Sequence, residues 1–319
     1  MSRLDPGPLE FFARQGYLMV PDLFPPEALA PLRTELTELV HREALRLCAE
    51  GRLSRVYEEE PFERRLTRLY AEVGDEILKA ITGRGGGGHS GRALFELITH
   101  PGLLATVESF IGPEIVGSSV YRIRPKIPQM DRGVVPWHQD SGYFAPHCDQ
   151  SLVLTCWIPL VDATVETGCL QVLPRVHDQG VFRHYTHGPG GYLFIQDQDL
   201  PSQEWLSVPV PAGGVLFLTN CTPHRSLPHH TDVVRWSLDA RYQSAEVPNN
   251  AGQPPEDFDA SLPAYEQACY PPEADFVVQS RLHPEKVVRH WEEFDQLRQR
   301  YEKLRPPSPQ RGWVPAPQD

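Results

Sequence analysis

The sequence predicts a mainly β protein, a double-sheet barrel with helical buttresses, and three observations carry that prediction. After Gly112-Pro113, apolar residues recur with period two in short runs separated by Pro- and Gly-bearing turns. Before that point their spacing is three to four, as on the buried face of a helix. One run leads into a polar tripeptide, His138-Gln139-Asp140, whose outer residues share a face in an extended backbone. Helices followed by many short strands favour two packed sheets with helices against one of them.

Taken in order, residues 11–21 read as a helix end, a stop at Gly16 and a strand. Pro25-Pro26-Glu27 opens a helix to about Cys48, with Leu29, Leu32, Leu36, Leu39 and Val40 on one face. Residues 51–82 are charged and expected to be helical and solvated. The glycine-rich run 83–91 lacks the Lys-Ser/Thr ending and preceding strand of a phosphate loop, so we expect a mobile linker able to order over a substrate. Helical spacing resumes over 93–111. Strands are expected at 115–123, 134–138, 151–160, 169–173, 213–220 and 235–242, a last extended segment at 271–278, and a helix from His283 to Leu304. Pro306, Pro307, Pro309, Pro315 and Pro317 predict a disordered or draped tail. The organisation expected is one domain over 1–319: a helical N-terminal region over 1–112, a barrel core over 113–245, an extension with a helix over 246–304, and the tail over 305–319.

The chemistry begins at His138 and Asp140. An imidazole and a carboxylate side by side are two thirds of the 2-His-1-carboxylate triad that holds non-haem Fe(II) with coordination positions open. The alternative is a buried histidine hydrogen-bonded to its neighbour. Two other His-x-Asp tripeptides, at His147/Asp149 and His230/Asp232, lie in polar turns and read as solvated loop. The best distant ligand is His224, just after the apolar run 216–218. Eleven residues on, Arg235, Ser237, Asp239 and Arg241 share one face of a strand, and Trp236, Leu238, Ala240 and Tyr242 the other. The polar face is either the solvent side or a lining. As a lining it sets a guanidinium fork and a hydroxyl beside the metal, a carboxylate-binding pair.

Composition narrows the partners. A net charge of −12 gives no basic footprint for nucleic acid and no attraction to anionic membranes. The six cysteines form no C-x-x-C pair and read as reduced thiols of a cytoplasmic protein. No run of 18 apolar residues and no apolar signal core is present, so we expect a soluble, unprocessed protein.

Four segments together resemble the phytanoyl-CoA dioxygenase-like family of Fe(II)- and 2-oxoglutarate-dependent oxygenases. They are Gly16-Tyr17-Leu18-Met19-Val20 with the Leu-rich helix after it; Trp137-His138-Gln139-Asp140 with a following aromatic; 157–164 leading through Glu166-Thr167-Gly168-Cys169-Leu170 to Pro174; and His224 with Arg235 eleven residues later. They span about residues 10–245. The resemblance implies a jelly-roll (double-stranded β-helix, cupin-like) core. It implies His138, Asp140 and His224 as the catalytic metal ligands, with Arg235 and Ser237 on the distal carboxylate of 2-oxoglutarate. Arg124 or Lys126, and Thr155, are further candidates for that co-substrate. Where the family often has Pro-Gly-Ser-His, this chain has Pro174-Arg175-Val176-His177, and Arg225 follows the distal histidine where Gly or Ser is common.

Fe(II), 2-oxoglutarate and O2 are thus the implied cofactors, giving succinate and CO2 with attack on an unactivated C–H bond. Related halogenases need a small residue in place of Asp140, so the intact carboxylate favours hydroxylation or another oxidation. A catalytically silent metal- or ligand-binding jelly roll, and a metal-dependent hydrolase or isomerase on the same ligands, are the rival readings. The substrate expected is a small molecule, with Tyr143, Phe144, Trp236 and Arg241 as candidate contacts. The sequence does not end in Ser-Lys-Leu, so a coenzyme A thioester is not implied. Neither substrate nor oligomeric state is fixed by these residues.

Overall fold

The structure, a computed structural model, describes residues 3–82, 88–118, 121–128, 130, 133–144, 146–247, 275–304 and 311–317. Three layers make up the fold. The middle layer is a sheet of β1 (Tyr17–Val20), β2 (Ile115–Ser118), β3 (Arg122–Lys126), β4 (Val153–Pro159), β8 (Val215–Thr219), β10 (Arg235–Ser244) and β11 (Asp275–Gln279). Its order is β1-β8-β4-β10-β2-β11, with β3 also paired to β10. A smaller sheet, β5 (Leu170–Val172), β7 (Leu206–Val208) and β9 (His224–Ser226), runs β7-β5-β9. The pairing is antiparallel in both. This is the expected double-stranded β-helix, or jelly roll.

Period-two alternation assigns each face of the large sheet to a different core. Leu154, Cys156 and Ile158 of β4 lie opposite Tyr242, Ala240 and Leu238 of β10. These six join the apolar stripe of α2 (Pro26–Ala49), including Leu29, Leu32, Leu36 and Val40, in the main core. On the other face, Trp157, Leu216 and Leu218 pack against Leu170, Val172 and Val208 of the small sheet. The space between the sheets holds the polar residues of the same strands, so strand register decides which groups meet there.

The helical layer comprises α1 (Pro6–Gln15), α2, α3 (Phe62–Val73), α4 (Lys79–Thr82), α5 (Arg92–Ile98), α6 (Pro101–Ile111) and α7 (Trp291–Leu304). None of these helices is long and apolar enough to cross a membrane. The helix expected over 51–82 is shorter: Pro61 caps α3, and tight turns at 74–78 follow it. The C-terminal helix begins at Trp291, not His283: a short turn over Pro284–Lys286 ends at extended Val287, and the Val288 N–H donates to the Val277 carbonyl (2.9 Å) instead of continuing a helix. The expected strand 134–138 is reduced to one bridge, His138 to His224.

The expected mobile linker over 83–91 is described only in part. Residues 83–87 lie outside the described residues. The remainder is sewn to the helical layer: His89 bonds Glu35 (2.7 Å), its carbonyl accepts from Tyr121 (2.9 Å), and Ser90 bonds Asp295. Residues 305–310 of the tail likewise lie outside the described residues, whereas 311–317 dock on the barrel end. There β12 (Val314–Pro315) pairs parallel with β6 (Tyr185–Thr186).

Candidate metal and co-substrate site

His138 and His224 face each other across their bridge, with reciprocal backbone hydrogen bonds of 3.0 and 2.9 Å and ring centroids 4.2 Å apart. Each imidazole bonds through Nδ1 to the carbonyl two residues upstream, Pro136 at 2.9 Å and Thr222 at 3.0 Å. With Nδ1–H donating, Nε2 of each ring is left as the lone-pair atom, the tautomer a metal ligand needs. Asp140 opens a short turn, Asp140–Tyr143, and extended Gln139 between them keeps it on the side of His138. Its Oδ1 lies 4.0 Å from His138 Nε2. One ligand atom from each of His138, Asp140 and His224 falls within 4.8 Å of the others, all three residues being buried.

Protonation suits a cation. Burial pushes His138 well below the usual histidine range, and His224 nearby adds to this, so the ring is neutral. Burial alone raises the Asp140 carboxyl, but Arg241 and His224 outweigh it and hold the group well below the carboxylate range. A neutral imidazole and an ionised carboxylate are the forms that bind metal without first releasing a proton.

The grip on Asp140 departs from expectation. Arg241, expected at a substrate, forks onto the carboxylate, Nη2 to Oδ1 at 2.8 Å and Nε to Oδ2 at 3.2 Å. Thr155, expected at the co-substrate, donates to Oδ2 at 2.5 Å. Both side chains therefore hold the candidate ligand while lining the same pocket. Trp236 is also corrected: one residue out of phase with Arg235, it points into the helical core and stacks on Phe62 at 4.9 Å. Phe144 is buried with Cys148 and Val153. Tyr143 stays near the ligands, its ring 6.0 Å from His138 and its hydroxyl accepting from the Leu193 N–H.

The polar face of β10 is a lining. Arg235, Asp239 and Arg241 border one pocket with His138, Asp140, His224, Thr155, Trp157 and Arg124. Arg124 is paired with Asp239 at 2.6 Å, which neutralises it. Among the described residues no carboxylate meets Arg235: Nη1 donates to the Gly168 carbonyl (3.1 Å) and the guanidinium lies 5.0 Å from the centre of the Trp157 ring. Its Nε, and the Ser237 hydroxyl on the same strand face, are buried without a partner among the described residues. Buried polar groups are normally satisfied, so two adjacent orphans, one of them cationic, fit a carboxylate ligand. Gly168 makes this arrangement possible. At φ +77° it takes the left-handed form, and a Cβ there would lie 2.6 Å from the Leu227 carbonyl.

Lys126 is turned away from the ligands, donating to Ser226 Oγ (3.0 Å) and to the Leu227 carbonyl. Burial, with Arg235 behind it, pushes this amine down from 10.5 to about 6. Between those pH values the unfolded chain carries a proton that the folded one lacks, so this group makes stability rise with pH from about 6 towards 10.5, by at most about 1.4 kcal/mol per unit. Lys126→Met is expected to flatten that slope in urea midpoints measured across the range. An unchanged slope would place the titration elsewhere.

Sequence reading missed the scaffold around Asp140. Gln139 is fully buried; its amide donates to the Gly180 (2.9 Å) and Cys221 (2.7 Å) carbonyls and accepts from the Phe182 N–H (2.7 Å). Its own N–H donates to His184 Nε2 at 3.0 Å. Arg175, where the resemblance would place glycine, adopts φ +61°, so the turn keeps a left-handed residue despite the change. His177 there bonds the Ala13 carbonyl (3.1 Å), away from the ligands.

Two imidazoles and a carboxylate that could hold a metal ion thus sit inside a jelly roll, beside an arginine that meets no carboxylate among the described residues. Residues 12–237 match the phytanoyl-CoA dioxygenase (PhyH) family, and the chain belongs to that family of Fe(II)- and 2-oxoglutarate-dependent oxygenases. The mouse phytanoyl-CoA dioxygenase domain-containing protein 1 is 26% identical over 258 residues, 73% of this chain and 87% of that one. The Arabidopsis thaliana phytanoyl-CoA dioxygenase is 24% identical over 283 residues, 77% and 95% of the two chains. Among solved structures, EvdO2 from Micromonospora carbonacea complexed with 2-oxoglutarate shares the fold with a TM-score of 0.53 at 20% identity, over 76% of this chain and 91% of that one.

Proposed function

We propose that this protein is a dioxygenase that hydroxylates a C–H bond of a small, largely apolar organic molecule, with 2-oxoglutarate converted to succinate and CO2. The observation that carries the proposal is one pocket lined by His138, Asp140, His224 and a buried arginine whose Nε has no partner among the described residues. In this reading His138, Asp140 and His224 hold Fe(II), and Arg235 with Ser237 grips the distal carboxylate of 2-oxoglutarate. When bound, the iron and co-substrate supply the oxidation, one oxygen atom of O2 ending in succinate and the other in the product. The chain supplies the rest: Nδ1 hydrogen bonds fix both rings, Arg241 and Thr155 fix the carboxylate, and burial excludes water.

The substrate reading rests on a neighbouring groove of about 830 Å³, lined mainly by apolar residues including Val134, Trp137, Phe194, Ile195 and Leu227. It shares Val135, Arg225 and Ser226 with the inner pocket. That volume suits a drug-sized ligand. The described cysteines are all free thiols, which supports a reducing, cytoplasmic setting.

Anaerobic addition of Fe(II) and then 2-oxoglutarate is expected to produce the weak visible charge-transfer band of the chelate, absent in His224→Ala. Oxygen should then consume 2-oxoglutarate, and a substrate should gain one oxygen atom by mass. Loss of two hydrogens instead would mean ring closure or desaturation. Iron binding with no band, and no oxygen-dependent loss of 2-oxoglutarate, would overturn the proposal in favour of a silent or hydrolytic metal site.

A further inference from the structure

The turn that carries Asp140 is held from outside by a segment about 170 residues further along the chain. Arg311 Nη1 donates to the carbonyls of Ser141 (2.5 Å) and Phe144 (3.2 Å) and to Asp149 Oδ1 (2.9 Å), and Nη2 completes a fork on the Asp149 carboxylate. Trp313 Nε1 donates to the Gly142 carbonyl at 2.9 Å. Its ring lies 5.2 Å from His184, the residue that accepts the Gln139 N–H. The carbonyls of Ser141, Gly142 and Phe144 are therefore all taken by two tail side chains. Gly142 also meets His184 so closely that a Cβ would sit 2.5 Å from its Nε2.

These contacts are built, not incidental. The Arg311 and Asp149 side chains are only 8% and 17% exposed. Withdrawing two charges from water is costly unless the pair is well made and its remaining donors are satisfied. Here the remaining donor capacity goes to the carbonyls of the Asp140 turn. β12 then anchors the segment to β6 in parallel register. The segment also lies beyond the residues matched by the family, which end at 237.

We propose that Arg311 and Trp313 are positioning residues for the metal site: the C-terminal segment fixes the backbone of the Asp140 turn so that its carboxylate meets His138 and His224. This rests on the reading of Asp140 as a metal ligand. Thr155 and Arg241 orient the carboxylate, whereas the tail sets where the turn carrying it stands.

The test uses the full chain titrated anaerobically with Co(II) as the metal probe, whose visible absorption reports the ligand set, well below every variant's Tm. Arg311→Ala is expected to weaken Co(II) binding by about 10- to 100-fold and to change the spectrum, as the loss of groups that orient a metal ligand does. Arg311→Lys should fall between it and wild type. Trp313→Phe, which removes one hydrogen bond and leaves a smaller aromatic ring, should lose less and serves if Arg311→Ala does not fold. Leu66→Ala, in the helical layer, should lower Tm while leaving Co(II) affinity and spectrum unchanged. Wild-type Co(II) affinity and spectrum in the folded Arg311 and Trp313 variants, with Tm alone reduced, would overturn the inference. Failure of the wild-type chain to bind Co(II) would instead overturn the metal reading beneath it.

Discussion

Arg235→Ala is expected to weaken 2-oxoglutarate binding by about 100-fold, roughly 2.7 kcal/mol, the scale of hydrogen bonds to a charged group from a lost guanidinium fork. Fe(II) binding alone should be unchanged, because Arg235 touches none of the three candidate ligands. Burial pushes this guanidinium down to about 10, which still leaves it charged at neutral pH. Among the described residues it donates to the Gly168 carbonyl and to no carboxylate, so it waits as a cation with no anion upon it. Arg235→Lys should rescue poorly, since an ammonium cannot fork. Isothermal titration of 2-oxoglutarate into the Mn(II)-loaded protein measures this; affinity within about threefold of wild type, under 1 kcal/mol, would remove Arg235 from the co-substrate site.

How much of this arrangement could be read in the sequence depended on whether the signal was local. The two faces of β10 were readable because period two is a property of the strand itself: Arg235, Asp239 and Arg241 do line the pocket, and Leu238 and Ala240 do enter the core. His138 and Asp140 could be paired because they are two residues apart with one extended residue between. Trp236, a candidate substrate contact, lies on the face that alternation sends to the helical core, where it meets Phe62. Thr155 and Arg241 could be placed on the correct face, but their convergence on Asp140 depends on the β4 to β10 register, where Arg241 lies opposite Thr155. Register is a long-range property with no local signature. Arg311 is the extreme case: a Pro-rich tail has the composition of an unfolded segment, and nothing near it announces a buried ion pair with Asp149.

Arg241→Met is expected to destabilise the metal-free protein by about 3–5 kcal/mol, the cost of leaving one partner of a buried pair without the other. Methionine keeps most of the length, so the loss is chiefly of charge. In wild type the guanidinium offsets the burial cost of the Asp140 carboxylate and holds it ionised. In the variant burial acts unopposed by Arg241, and the carboxyl rises above its unfolded value of about 3.9. A carboxyl raised on folding contributes stability that is lost as pH rises, so the stability gap between variant and wild type should narrow from pH 7 towards pH 5. A divalent cation at His138, Asp140 and His224 should replace the missing positive charge. Thr155 still orients the carboxylate in the variant, so saturating Mn(II) should raise the variant's Tm more than the wild type's, because the ion then repairs a charge defect as well as binding the native state. Calorimetry with and without Mn(II) decides it. An equal or smaller metal-induced rise in the variant would mean that Arg241 and the ion do not share Asp140, and that the fork secures β10 to the turn without tuning the candidate ligand.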